Sequence, residues 1–94
     1  MYLTKETFAE QTAKGRTVVV FSYSQSVLGN KYFNELTTTF SNLPIFRVDI
    51  DKEQDLAADM NIRVSPIAFF FQDGTLTDTY TWNQRDALMG SLKS

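Results

Sequence analysis

The 94-residue chain contains no cysteine and no histidine. Without thiols there can be no disulfide, no dithiol exchange, no thiolate metal site and no Cys-His nucleophile. Without imidazole the side chain that titrates nearest neutrality, which is also the commonest zinc and iron ligand, is missing. Carboxylates could still hold calcium or magnesium, but no D-x-D-x-D-G loop is present. No metal and no cofactor are therefore expected. Positive charge is sparse as well: nine Lys and Arg stand against eleven Asp and Glu, for a net charge of −2. A nucleic-acid surface would show a basic stripe, and here the basic residues are scattered, so no nucleic-acid partner is expected. No apolar run approaches the ~20 residues of a membrane helix. Lys5 is not followed by the long apolar segment of a signal peptide. The expectation is no membrane association and a cytoplasmic location.

What is present is enough for a core. Hydrophobic residues make up 43% and aromatics 14% of the chain, above what a disordered segment carries. A chain of this length forms one domain, residues 1–94, and buries roughly 60–70% of its unfolded surface.

Thr4 is placed to cap a first helix, with Leu3 and Phe8 as a hydrophobic staple and Gly15 as a C-terminal cap. Residues 17–24, TVVVFSYS, are β-branched and aromatic. Their run Val18-Val19-Val20-Phe21 has no polar alternation, which predicts a strand buried on both faces. A helix follows over Val27–Phe40, with Tyr32, Phe33, Leu36 and Phe40 on one apolar stripe. A second strand is predicted over Ile45–Asp51, then a short helix in EQDLAADMN ended by Asn61. A third strand covers Ile67–Phe71 after a turn at Ser65-Pro66. The Asp73-Gly74 pair signals a hairpin into a strand over Leu76–Trp82. Asn83 is positioned to cap a last helix. The order α-β-α-β-α-β-β-α predicts parallel pairing across the helical crossovers and a final antiparallel hairpin. The fold class is α/β, with a central mixed sheet of about four strands flanked by helices on both faces.

Three segments, VVVFSYSQSVLGNK, FRVDIDKEQDLAADMNIRVSP and AFFFQDGTL, resemble the thioredoxin family. The first resembles its V-D-F-W-A-x-W-C-G-P-C-K strand-turn-helix. The second resembles K-V-D-V-D-x-x-x-x-L-A-x-x-Y-x-I-x-x-x-P and is the most specific. The third resembles the family's strand, turn and strand. Together they span nearly the whole chain and imply a thioredoxin fold. The resemblance also makes Pro66 the family's cis-proline, and it gives Ser65 the backbone groups offered to an extended partner segment.

Aligned without gaps, the family's two cysteines fall on Ser26 and Gly29, with Val27 and Leu28 between them. The resemblance further aligns the family's buried acid with Val20, its tryptophans with Ser22 and Gln25, its helix-kinking proline with Asn34 and a small groove-side glycine with Trp82. The basic partner of the buried acid keeps its sign as Arg47. A hydroxyl does not exchange disulfides, and valine in place of a buried carboxylate removes a desolvation cost. The chain is thus expected to be a redox-inactive relative that binds a protein or peptide segment as an adaptor, with the enzyme question left open and leaning against one.

The expected groove comprises Tyr23, Gln25, Ser65, Pro66 and Trp82 beside the former motif Ser26–Gly29. Ser26 reads better as a helix N-cap than as a nucleophile, since there is no histidine to activate it. Val27, Leu28 and Tyr23 could form an exposed apolar patch or pack under the turn. Trp82 could anchor a partner or close the groove, closure being preferred. Asp49, Asp51, Glu53 and Asp55 read as a solvated strand end and helix start before a cation site. Two alternatives stand beside the binding module. One is a monothiol oxidoreductase whose single cysteine at position 26 was changed to serine. The other is a structural subunit of a larger assembly.

Overall fold

The structure is a computed structural model describing residues 2–93; of the domain expected over 1–94, Met1 and Ser94 lie outside the described residues. Helices α1 (Lys5–Thr12), α2 (Val27–Thr39), α3 (Gln54–Asp59) and α4 (Arg85–Lys93) and strands β1 (Arg16–Ser22), β2 (Ile45–Asp49), β3 (Ile67–Gln72) and β4 (Thr75–Thr81) follow the order α1-β1-α2-β2-α3-β3-β4-α4. The strands form one mixed sheet in the order β2-β1-β3-β4. Among the described residues no helix is long and apolar enough to cross a membrane.

Strand β1 is the centre of the sheet, and its four apolar residues divide between two cores. Val19 and Phe21 face α1 and α3, with Leu3, Val48, Ile50, Leu56, Phe69 and Phe71. Val18 and Val20 face α2 and α4, with Tyr32, Leu36, Ala68, Tyr80, Leu88 and Leu92. All four are fully buried, and full burial of side chains this size is worth about 1.5–3 kcal/mol each. Phe69 and Phe71 enter one core while Phe70 packs on the other, as a two-residue strand period requires. Tyr32 ties α2 to the far strand: its hydroxyl donates to the Tyr80 carbonyl at 2.9 Å, and burial pushes its pKa above the ordinary tyrosine value.

The expectation of parallel crossovers holds for β1 and β2 but not for β3, which runs antiparallel to β1. The connection from β2 to β3 runs through the short helix α3 and re-enters the sheet near the end it left, pairing Ile67 with Phe21. That reversal places Pro66 at the same end of the sheet as the start of α2.

Several boundaries also move. β1 ends at Ser22, not Ser24, because Ser24 is drawn onto β2: its amide donates to Asp51 Oδ2 and its hydroxyl to Asp49 Oδ2. β2 ends at Asp49, not Asp51, since Asp49 Oδ1 accepts the Asp51 amide and its carbonyl accepts the Glu53 amide, folding the chain into a turn. α2 ends at Thr39, with Phe40 as cap. Asn83 does not cap the last helix. Thr81 and Gln84 hydrogen-bond across a 3-10 turn over Trp82–Gln84 that leads into α4, so Trp82 begins that turn instead of ending β4.

Gly15 does not cap α1, whose C-terminal cap is Ala13. With φ +67, Gly15 joins the hairpin instead: its amide donates to Asp73 Oδ1 at 2.7 Å and its carbonyl accepts the Asp73 amide at 2.9 Å. Asp73 and Gly74 both have positive φ, as the tight hairpin turn read from the sequence requires.

Leu36→Ala removes a fully buried side chain from the α2 core and is expected to cost about 2–5 kcal/mol in urea unfolding. Val27→Ala, at a position 67% exposed, should stay within about 0.5 kcal/mol of wild type.

Candidate functional site

The connection from β1 to α2 is fixed at three points. The Ser26 amide donates to the Tyr23 carbonyl at 3.1 Å. Ser26 Oγ accepts the Gly29 amide at 2.9 Å, so Ser26 is the N-cap of α2. Asp49 holds Ser24 from below. Burial works against charge on Asp49, but the Ser24 hydroxyl, the amides of Asp51 and Lys52 and the Lys52 ammonium outweigh it and keep its carboxyl below the usual carboxylate range. The acidic segment after β2 is engaged in the same way: Asp51 accepts the Ser24 amide and Glu53 accepts the Lys5 amide. Among the described residues no group of three or more His, Cys, Asp or Glu is placed to hold a metal ion.

Under the first turn of α2 the chain is packed backbone to side chain. A Cβ added at Gly29 would lie 2.5 Å from Ser22 Cβ and 2.7 Å from Ser22 Oγ, closer than real Cβ contacts come. The helix thus sits on Ser22 with no room for a side chain at 29. Ser22 is in turn the seat of a buried arginine. Arg47, 5% exposed, donates to Ser22 Oγ from Nε at 3.1 Å and from Nη2 at 3.0 Å, and from Nη1 to Asn30 Oδ1. Its guanidinium lies 5.4 Å from the Tyr2 ring centre and 5.9 Å from that of Phe33. Among the described residues it has no carboxylate partner. Val20, its register neighbour on β1, is fully buried and apolar. A hydroxyl, an amide oxygen and two ring faces surround its guanidinium.

Across from Leu28 lies the turn that enters β3. The Ser65–Pro66 peptide bond is cis, and Pro66 is buried while Ser65 is exposed. Leu28, Val64, Ser65, Pro66, Thr81, Trp82 and Asn83 line a shallow groove of about 370 Å³. Trp82 forms one wall. It meets Tyr32 edge to face with ring centres 5.7 Å apart. The Arg85 guanidinium stacks 3.7 Å from its ring centre while donating to the Trp82 carbonyl at 3.0 Å and approaching Glu35 at 3.5 Å.

Of the residues singled out in the sequence, Leu28, Ser65, Pro66 and Trp82 come together on this groove. Ser26, Val27, Gly29, Tyr23 and Gln25 border the loop above it without lining it, and Val20 lies in the core. Val27 and Tyr23 are solvent-exposed, at 67% and 52%. Val64, Thr81 and Asn83 were missed. Val64 carried a readable signal, an apolar residue two before the turn proline that no strand pattern claims. The place of Thr81 and Asn83 on the groove follows from the 3-10 turn, whose signal is the T-x-x-Q spacing of Thr81 and Gln84.

Gly29→Ala should destabilise the fold by about 1–3 kcal/mol through overpacking against Ser22. Gly90→Ala, in α4 with nothing within 4 Å of the new Cβ, should stabilise it by about 0.5–1 kcal/mol; paired urea titrations read both. Asp49→Asn should cost about 1–3 kcal/mol at pH 7. The carboxyl's folded pKa lies below its unfolded one, so its contribution is complete above about pH 4–5 and fades as pH falls through the folded value. The gap between variant and wild type should accordingly close as the titrations are repeated toward pH 2.

The family model for Thioredoxin matches residues 1–94. Horse (Equus caballus) thioredoxin is 27% identical over 95 residues, covering 95% of this chain and 90% of the horse protein. Mouse (Mus musculus) thioredoxin is 29% identical over 94 residues, covering 94% and 90%. Among solved structures, Chlamydomonas reinhardtii thioredoxin f2 superposes with a TM-score of 0.85 at 19% identity, over 99% of this chain and 93% of that one. A mutant thioredoxin from Halobacterium salinarum NRC-1 gives 0.86 at 17% identity, over 99% and 87%; at such identities the likeness is one of fold. With the family model matched over its whole length and no cysteine anywhere in it, this chain belongs to the thioredoxin family and lacks the family's dithiol.

Proposed function

We propose that the chain is a redox-inactive thioredoxin-like protein that binds an extended segment of a partner protein in the groove between Leu28 and Trp82. The observation that carries the reading is the groove itself: apolar walls from Leu28 and Val64, exposed at 42% and 51%, stand beside the free edge of an exposed turn at Ser65. Exposed apolar surface rimmed by polar residues marks partner sites, and backbone groups at such a turn can pair with an extended chain. The packing of Gly29 on Ser22 supports the non-catalytic half of the reading, because a side chain at 29 would force the helix and Ser22 apart. The proposal retains the cytoplasmic location, which a tagged copy in the native cell checks.

A second reading, a monothiol oxidoreductase with cysteine natively at position 26, draws on Ser26 standing at the N-terminus of α2, where a thiolate would be stabilised. The native codon at position 26 separates the two, a cysteine codon favouring the enzyme. For the binding reading, wild type and Leu28→Asp are compared in pull-downs from the native host. Partners retained by wild type should fall at least about tenfold on the variant, as loss of a buried apolar anchor with a charge in its place predicts. An unchanged partner set would sink it.

A further inference from the structure

The charges around the groove are arranged against the sign of the whole protein. The chain carries eleven acids and a net charge of −2. The groove lining itself holds no charged residue, and residues 23–34, 61–67 and 79–85, which carry that lining, contain Lys31, Arg63 and Arg85 and no acid. Lys31 follows Leu28 by one helical turn, on the same surface of α2. Arg63 directly precedes Val64. Both are exposed, and neither side chain has a hydrogen-bond or ion-pair partner among the described residues.

The first carboxylates beyond these segments are Glu35, Asp59, Asp78 and Asp86; Asp59 approaches Lys5 at 3.9 Å and Asp78 accepts the Thr79 amide at 2.9 Å. Glu35 is taken up by Arg85, which also covers one face of Trp82. Two cations without a partner among the described residues thus neighbour the apolar wall along the chain, Lys31 one helical turn beyond Leu28 and Arg63 directly before Val64. Such charges act locally, since fields are screened within about 8 Å at physiological salt. The net negative charge of the protein as a whole therefore does not cancel them at contact.

We propose that the groove selects an acidic extended segment: an apolar side chain seated among Leu28, Val64 and Trp82, with Asp or Glu side chains on both sides of it reaching Lys31 and Arg63. The selection rests on the binding reading given above and adds to it the chemistry of the partner. Each exposed pair contributes up to about fivefold in affinity, so two attractive pairs against two repulsive ones separate an acidic segment from a basic one by about tenfold or more.

The single tryptophan, Trp82, lies in the groove wall, so its emission reads occupancy directly. The full chain is titrated with three tryptophan-free heptapeptides, each with a central leucine between two threonines and paired outer residues of glutamate, lysine or serine. The glutamate peptide is expected to shift Trp82 emission, to bind at least about tenfold tighter than the lysine peptide, and to lose that advantage between 50 mM and 500 mM salt, as roughly a halving or more of the Debye length requires. The Lys31→Glu/Arg63→Glu double variant, whose fold is checked by circular dichroism, should invert the order. Equal binding of the three peptides, or an order unchanged in the double variant, overturns the charge selection while leaving the groove a binding site. Failure of every peptide to move Trp82 emission overturns the selection too, and the Leu28→Asp pull-down then judges the binding reading separately.

Discussion

Strand β1 has no solvated face. Val18, Val19, Val20 and Phe21 are buried without remainder, alternate residues serving opposite cores, with β2 on one side and β3 on the other. A strand in that position cannot shift register by one residue without exchanging both cores. Everything at the site hangs from its C-terminal end. Ser22 closes the strand, α2 starts four residues later from the Ser26 cap, and the entry to β3 is pinned beside it by pairing of Ile67 with Phe21. The groove is where these two departures from the same rigid strand face each other.

The region under α2 shows how a charged residue is kept inside without a carboxylate partner among the described residues. Arg47 lies opposite Val20 in register yet is satisfied from one step further along, by Ser22 and Asn30, with two aromatic faces around it. Neutral acceptors hold a buried guanidinium less strongly than a carboxylate does, but they impose no second desolvation. Serine at 22 performs two tasks there: it accepts from the arginine and is small enough for the helix to rest on. Glycine at 29 is the matching half of that fit.

Much of the fold was written in local pattern. The polar-free run of β1, the 3–4 spacing of Tyr32, Leu36 and Phe40, and the Asp73-Gly74 turn each depend on near neighbours, and each gave the right element. The capping role of Ser26 was legible for the same reason. What local pattern could not carry was the direction of β3, which is set by its pairing with β1, a strand distant in the chain. The partners of Arg47 and the contact of Gly29 with Ser22 likewise join segments distant in the chain or buried in side-chain detail. The Thr81–Gln84 bonds are a different case. Their T-x-x-Q spacing is a known helix-start signal, and Asn83 drew the boundary only because it lay next to the apolar positions of α4. At the site, Leu28, Ser65, Pro66 and Trp82 could be placed by alignment, and Val64 by its apolar side chain just before the turn proline, outside any strand pattern.

The fit of Gly29 onto Ser22 also limits what position 29 can become. Each cysteine codon is one base from one glycine codon, TGT from GGT and TGC from GGC, so from either of those glycine codons a thiol is a single mutation away at the level of the gene. At the level of the protein that step meets Ser22, 2.5 Å from the new Cβ, and Ser22 cannot move without releasing Arg47 from two of its hydrogen bonds. A thiol at 29 would therefore meet the same overpacking cost of about 1–3 kcal/mol as any other side chain there. Positions 22 and 29 are energetically coupled, and what one can hold depends on the other.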